Sequence, residues 1–185
     1  MLRAAAQVFA KRGYAGGTTN HIAERAGVSI GTLYEYFPNK DALLVALMER
    51  HIREGEEVLE RAAAEIAAAP QPLRGSIRHF VRTMVDFHAH ERALHRVLFE
   101  EAPLPPRVRH MLADLEERVT ERVHLLLCHD PEVVVADPLL AAAIVVQTVE
   151  ALTHKLVVHG EREIDLDAYV DEIARLVERY LTAGT

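Results

Sequence analysis

The sequence has 185 residues, enough to bury a sizeable core in one or two domains, and carries a net charge of −7. Half of its residues are hydrophobic but only 5% are aromatic, so Ala, Leu and Val must do the packing, as in a helical bundle. Its one cysteine, Cys128, excludes an intrachain disulfide and a cysteine-based zinc site.

The longest uninterrupted apolar run, Leu139 to Val146, falls far short of the roughly 20 residues that a membrane span needs. The N-terminus shows neither a basic leader nor a small-residue cleavage site after an apolar core. A cytoplasmic protein without a membrane partner is the plain expectation. Charge is unevenly spread. Residues 1–41 hold Arg3, Lys11, Arg12, Arg25 and Lys40 against Glu24, Glu35 and Asp41, a balance of +2, which leaves −9 for the remainder. A mildly basic head on an acidic body suits a nucleic-acid reader whose body stays off the phosphates.

Taken in order, Leu2, Ala5, Ala6, Phe9 and Ala10 recur at helical spacing and end near Gly13. This helix is expected to brace the two that follow. In the stretch GYAGGTTNHIAERAGVSIGTLYEYFPNKDALL, Thr18 or Thr19 can cap a short helix by satisfying one of its free amides. Ile22, Ala23 and Ala26 form its narrow apolar stripe. Gly27 can close it in the left-handed conformation, Val28 plugs the corner, and Ser29 is placed to cap a second short helix. That helix turns Leu33 and Phe37 inward and leaves Ile30, Thr32, Tyr34 and Tyr36 outside. Pro38 stops it and Asn39 can cap the next, with Ala42, Leu43, Ala46 and Leu47 on the apolar face. Two short helices joined by a tight glycine turn make a helix-turn-helix. The second is the natural candidate for a DNA major groove.

TTNHIAERAGVSIGTLYEYFPNKDALL, extended back through AAAQVFAKRGY, resembles the DNA-binding signature of the TetR (tetracycline-repressor-like) transcriptional regulators. The resemblance covers about the first quarter of the chain. It implies that Ile30, Gly31 and Thr32 face bases, that Thr19, Tyr34, Tyr36 and Lys40 meet phosphates, and that Asn20 reaches a base or a phosphate. Ile30 and the Thr32 methyl suit a thymine methyl group. No arginine lies in the second helix, so the commonest guanine contact is absent. Members usually carry an arginine-bearing arm before the first helix; this sequence begins inside that helix.

The helix from Lys40 is expected to run to Ala69, with Gly55 in its interior. That glycine costs about 1 kcal/mol relative to Ala and suggests a hinge or a close helix crossing. Pro70–Pro72 then break the chain. From Leu73 a helix carries Ile77, Phe80, Val81, Met84, Phe87 and His88 on one stripe, and a short helix follows, ending at Pro103–Pro106. A third begins near Arg107 with Val108, Met111, Leu112, Leu115, Val119, Val123 and Leu126 inward. After a loop at His129–Ala136, Asp137 caps a strongly apolar helix that ends at Gly160, and a last helix runs from Asp165–Leu166 to Ala183–Gly184. No convincing strand is present, so the fold class is all-α.

The stripe Phe80, Met84, Phe87 and His88, with Phe99, Met111, Leu115 and His154 opposite, joins apolar surface to titratable tips, as ligand pockets do; an ordinary filled core is the alternative. Glu150 and His154, four apart, fit a metal or an acid–base pair less well than a plain hydrogen-bonded pair. His88, His90 and His95 form no metal signature, and no HExxH, GxSxG or P-loop occurs. No metal, cofactor or catalytic residue is therefore expected. In the apolar helix, Ala141, Val145, Val149, Leu152 and Leu156 point one way, and Ala142, Val146 and Val157 widen that surface. A helix apolar over so much of its girth is buried on more than one side. Gln147, Glu150, Ala151 and His154, with Tyr169, Ile173, Leu176, Val177 and Tyr180 of the last helix, are expected at a two-fold seam. The Gln147, Glu150 and His154 face fits a pocket lining equally well.

The whole reads as a helix-turn-helix head, residues 1–46, followed by a helical effector-binding and dimerisation domain, residues 47–185. The resemblance implies a homodimeric repressor on a palindromic DNA operator, released by a small, lipophilic inducer. The competing reading is a helical small-molecule- or metal-binding protein with a vestigial head.

Overall fold

The computed structural model describes residues 1–90, 92–159 and 165–183, except the side chains of 157–159. All regular structure among them is helical. In order come α1 (Leu2–Gly16), α2 (Thr19–Ala26), α3 (Ile30–Tyr36), α4 (Lys40–Ala68), α5 (Leu73–His90), α6 (Arg92–Arg96), a π-helix (Val97–Glu101), α7 (Pro106–His129), α8 (Pro138–His159) and α9 (Leu166–Thr182). The short segment before Pro103 was expected to be a simple helix; it instead widens into π geometry at Val97. The Val157 side chain, and the helix ends expected at Gly160 and Gly184, lie outside what is described.

Helix ends form where the side chains supply partners. Thr18, not Thr19, caps α2, its hydroxyl accepting from His21 N at 3.3 Å. Ser29 Oγ accepts from Thr32 N at 3.0 Å, and Asn39 Oδ1 from Ala42 N at 2.8 Å. Asp137 Oδ1 receives the amides of Leu139 and Leu140 at the start of α8, and Asp165 caps α9. Each such cap is worth about 1 kcal/mol. Gly27 ends α2 at φ 68°, ψ 30°, a left-handed turn that a Cβ would strain.

The chain packs as two compact units. The first comprises Met1–Glu54 and Glu91–Leu112, the second Gly55–His90 and Ala113–Thr185. In the first, Ala4, Ala5, Ala6, Val8 and Phe9 of α1 are buried with Ile22, Ala23, Leu33, Leu43, Leu44 and Leu47. Ala4 and Val8 thus join the face read from sequence. Also in this unit, His51 and His95 are buried side by side, His95 Nδ1 lying 3.0 Å from His51 Nε2. Phe99 stands against both rings, with centroids 5.6 and 4.8 Å away. Burial first, then the Arg50 charge, lowers the pKa of His51 to about 4, so its ring is neutral near pH 7.

In the second unit α5 packs on α8 and α9. Leu73, Ile77, Val81 and Val85 meet Ala141, Ala142 and Leu156 of α8 and Val170, Ile173, Ala174, Val177 and Leu181 of α9. Full burial of each Val, Leu or Ile is worth about 1.5–3 kcal/mol. On α7 Val108 and Leu127 are buried, whereas Leu126, expected inward, is exposed. Gly55 marks a close crossing, because a Cβ there would stand 3.2 Å from the Phe87 ring. Arg78 and Arg82 reach Asp167 and Asp171 and pin α5 to α9.

By length and composition α8 is apolar enough over Pro138–Leu156 to cross a bilayer, yet only 22% of that stretch is buried within the chain. Counting uninterrupted apolar residues missed this, because Gln147 and Thr148 interrupt the run without making the helix polar. The same length and composition suit a helix that a second protein surface covers.

Candidate nucleic-acid interface and effector site

The head presents α3 with Ile30 39%, Tyr34 48% and Tyr36 67% exposed. Residues this large stay outside only because Leu33, between them, takes the single inward position of a seven-residue helix. Gly31 is exposed and Thr32 half-buried. The Thr32 hydroxyl lies 2.9 Å from Ser29 Oγ, so its methyl is the part left for an apolar contact. Asn20 is exposed in the first turn of α2. Across the corner, Thr19 Oγ1 and Tyr34 OH lie 3.1 Å apart. Two hydroxyls from different helices thereby form one small polar cradle at the start of α2, where unpaired helix amides favour an anion.

Lys40 does not simply extend into solvent. Its Nζ donates to the Tyr14 carbonyl at 2.9 Å and lies 4.0 Å from the centre of the Tyr14 ring. The Tyr14 hydroxyl donates to Asp41, and burial together with that carboxylate pushes its pKa up to about 12. The end of α1 is thereby latched to the start of α4. Sequence reasoning did not find this latch, because its partners are 26 and 27 residues apart and no periodic pattern links them.

In the second unit, His88 is 3% exposed, with its Nε2 4.0 Å from Glu150 Oε1. The rings of His88 and His154 meet edge-on at 6.0 Å, and Phe87 lies 5.6 Å from His88. Gln147 Nε2 donates to Glu116 at 2.8 Å. Burial, then the Glu116 carboxylate, raises the pKa of Glu150. The Gln147, Glu150 and His154 face is therefore engaged with groups of its own chain, while Gln147 and Glu150 stay exposed. Phe80, Met84, Phe87 and Leu115 are half-buried in this same unit. Phe99 and Met111, expected in the same pocket, belong to the first unit, where Phe99 stands against His51 and His95. No set of three or more metal-ligating side chains converges among the described residues.

Ile173 and Val177, also expected at the seam, are buried within the unit. Both are core residues packed with α5 and α8, at 3% and 2% exposure, so they cannot also supply a broad outer face. Among the residues exposed on these two helices are Leu139, Leu140, Ile144, Gln147, Glu150 and Ala151 of α8 and Leu166, Leu176 and Tyr180 of α9. Tyr169 is half-buried and donates to the Leu152 carbonyl at 3.3 Å. Between α8 and α9, Ile144, Val145, Thr148, Leu176, Val177 and Tyr180 border a shallow groove of about 210 Å³.

Comparison with known proteins decides what this arrangement is. Residues 1–47 match the profile of bacterial regulatory proteins of the tetR family, and residues 72–181 match that of the tetracyclin repressor-like C-terminal domain. The chain belongs to the TetR family. Among its relatives, the HTH-type transcriptional activator FasR of Mycolicibacterium smegmatis is 29% identical over 173 residues, covering 92% of this chain and 76% of that protein. A TetR-like transcriptional regulator from Rhodococcus sp. RHA1 has the same fold, at TM-score 0.72 and 27% identity over 98% of this chain and 93% of that one. The fold is shared as well with FadR of Bacillus subtilis, solved with stearoyl-CoA, at TM-score 0.70 and 21% identity over 100% and 97% of the two chains. The TetR assignment makes this chain a transcriptional regulator with a DNA-binding head and a helical C-terminal domain, as the resemblance in its first quarter implied.

Proposed function

We propose that this TetR-family chain is a ligand-responsive repressor that binds a palindromic operator as a homodimer and is released by a lipophilic small molecule. Residues 1–46 act as the head and 47–185 as the effector and dimerisation domain. DNA binding gives it a cytoplasmic site of action. The observation that carries the reading is the head surface: Ile30, Gly31 and the Thr32 methyl offered together, flanked by the paired hydroxyls of Thr19 and Tyr34. Phosphate contacts from Thr19, Tyr34, Tyr36 and Lys40 hold the register, while Ile30, Thr32 and Asn20 read bases.

The dimer is formed by the exposed apolar residues of α8 and α9, Leu140, Ile144, Leu176 and Tyr180, meeting their copies as a four-helix bundle around a two-fold axis. Isologous contact of this kind matches operator symmetry. The effector site lies around Phe80, Met84, Phe87, His88, Leu115 and His154, with His88 as its buried polar tip. The stearoyl-CoA held by the Bacillus subtilis FadR makes a long acyl chain the first class to try. Binding of effector favours a form whose heads no longer match half-sites about one helical turn apart. α4 begins at Lys40 in the head and continues to Ala68, so it is the lever. FasR is named an activator, which gives the opposite sign of control a specific claim.

Binding of the purified chain to DNA upstream of its own gene, followed by fluorescence anisotropy and titrated with stearoyl-CoA and with free stearate, tests the reading. Submicromolar binding that effector reverses supports repression. Effector that tightens binding supports the opposite sign, and indifference to every upstream duplex refutes the proposal.

A further inference from the structure

Along α1, Arg3, Gln7 and Lys11 recur every four residues, so they share one face over about 12 Å of helix. On α2, His21 and Arg25 are again four apart. Between the two helices runs an open groove of about 520 Å³, bordered by Gln7, Lys11, Arg12, His21, Glu24 and Arg25. Arg25 Nε donates to Gln7 Oε1 at 2.7 Å, which holds the guanidinium by one nitrogen and leaves its other two without a bond among the described residues. His21 Nδ1 lies 3.0 Å from Thr18 Oγ1, so one end of the groove opens on the residues that begin α2.

Arg3, Lys11 and Arg12 form no ion pair among the described residues. Arg50, Arg78, Arg82, Arg107 and Arg118 are each matched to a carboxylate. Unpaired cations are common on surfaces. Lys11 and Arg12 share a groove with Arg25, face only Glu24 there as a counter-charge, and lead into the anion-favouring start of α2. The lining is polar apart from Val8, which is 7% exposed, so an acidic polypeptide would find no apolar pocket in which to anchor. A DNA strand needs none. It carries a phosphate about every 3.4 Å of duplex axis, or roughly three along the length of the α1 face.

We propose that the α1–α2 groove holds the sugar–phosphate backbone of DNA flanking each operator half-site, a second phosphate track beside the one gripped by Thr19, Tyr34 and Lys40. This rests on the head being the DNA-binding domain. The added track is sequence-independent, raises affinity through counterion release, and lengthens the DNA that the dimer covers.

The experiment uses the full chain and an operator selected from random duplexes, in one form ending at the half-sites and one extended by about 10 base pairs on each side. Affinity is measured against salt for wild type and for Lys11→Gln, Arg12→Gln and Arg25→Gln. On the extended duplex each substitution is expected to make the slope of log K against log salt shallower by about 1 to 2, since each change occurs twice in a dimer. On the short duplex slopes stay at the wild-type value. Arg25→Gln also loses the Gln7 bond and can loosen the head; Lys11→Gln and Arg12→Gln break no bond and carry the test by themselves. Wild-type slopes on the extended duplex, or equal losses on both duplexes, overturn the proposal. So do unchanged slopes accompanied by polyglutamate binding that the substitutions abolish, which assigns the groove to an acidic polypeptide. A wild-type chain that selects no duplex overturns the reading of the head itself; selection that Ile30→Ala relaxes keeps that reading while the groove variants are judged.

Discussion

Thr19 and Tyr34, fifteen residues apart on α2 and α3, place their hydroxyl oxygens 3.1 Å from each other. Each orders the other, so two groups that the resemblance implied as separate phosphate contacts form one hydrogen-bonded unit. Removing either hydroxyl should weaken DNA binding about five- to tenfold, close to 1 kcal/mol for one hydrogen bond. Thr19→Val combined with Tyr34→Phe should cost clearly less than the sum of the two, because the first change already frees the second side chain. Anisotropy titrations of the four proteins on one selected operator measure the coupling. Simple additivity would show that the hydroxyls act independently.

Lys40, held in the latch by Tyr14, is also proposed to meet a phosphate. Lys40→Ala should weaken operator and random duplexes alike and make the salt slope shallower. Tyr14→Phe keeps the ring under the ammonium but loses the bond to Asp41. It should lower stability by about 1 kcal/mol and leave the salt slope unchanged. Urea unfolding and salt titrations on both variants separate the two roles; a Tyr14→Phe protein with a shallower slope would place its hydroxyl on the DNA instead.

Acid should destabilise the first unit through His51. Its folded pKa, lowered to about 4 from 6.5, means that the unfolded chain binds the extra proton first as pH falls. Stability from this residue is therefore complete above about pH 6.5, is lost progressively from there down to pH 4, and is flat below. The full loss is on the order of 3 kcal/mol. In His51→Gln the fall in melting temperature between pH 6.5 and 4 should be markedly smaller. If the two profiles run parallel, His51 is not the group responsible.

Leu176, 54% exposed beside core residue Val177, separates association from folding. Leu176→Glu should fold with the stability of an isolated chain, sediment as a monomer, and bind the operator at least tenfold more weakly. Val177→Glu should instead unfold the second unit, because it buries an unpaired carboxylate among α5, α8 and α9. Sedimentation velocity on the wild type settles the premise: a monomer at micromolar concentration removes the dimer.

Local chemistry was enough for the head. Caps at Ser29 and Asn39, the left-handed turn at Gly27 and the inward Leu33 were all legible, because each depends on residues within four positions of one another. Periodicity likewise gave the helices of the body, though not the π turn at Val97. Which of two apolar stripes faces a partner was not legible. Ile173, Leu176, Val177 and Tyr180 look alike in a one-dimensional pattern, and only α5 packing on α9 sorts them into core and surface. Glu150 and His154 are a similar case, since only the folded chain brings His88, more than sixty residues earlier, beside them. The latch of Tyr14 with Lys40 and Asp41 and the cation groove of α1 and α2 belong to this second kind. Hydrogen bonds, ion pairs and exposure depend on distance in space, and sequence spacing reports that distance only within one helix or one turn.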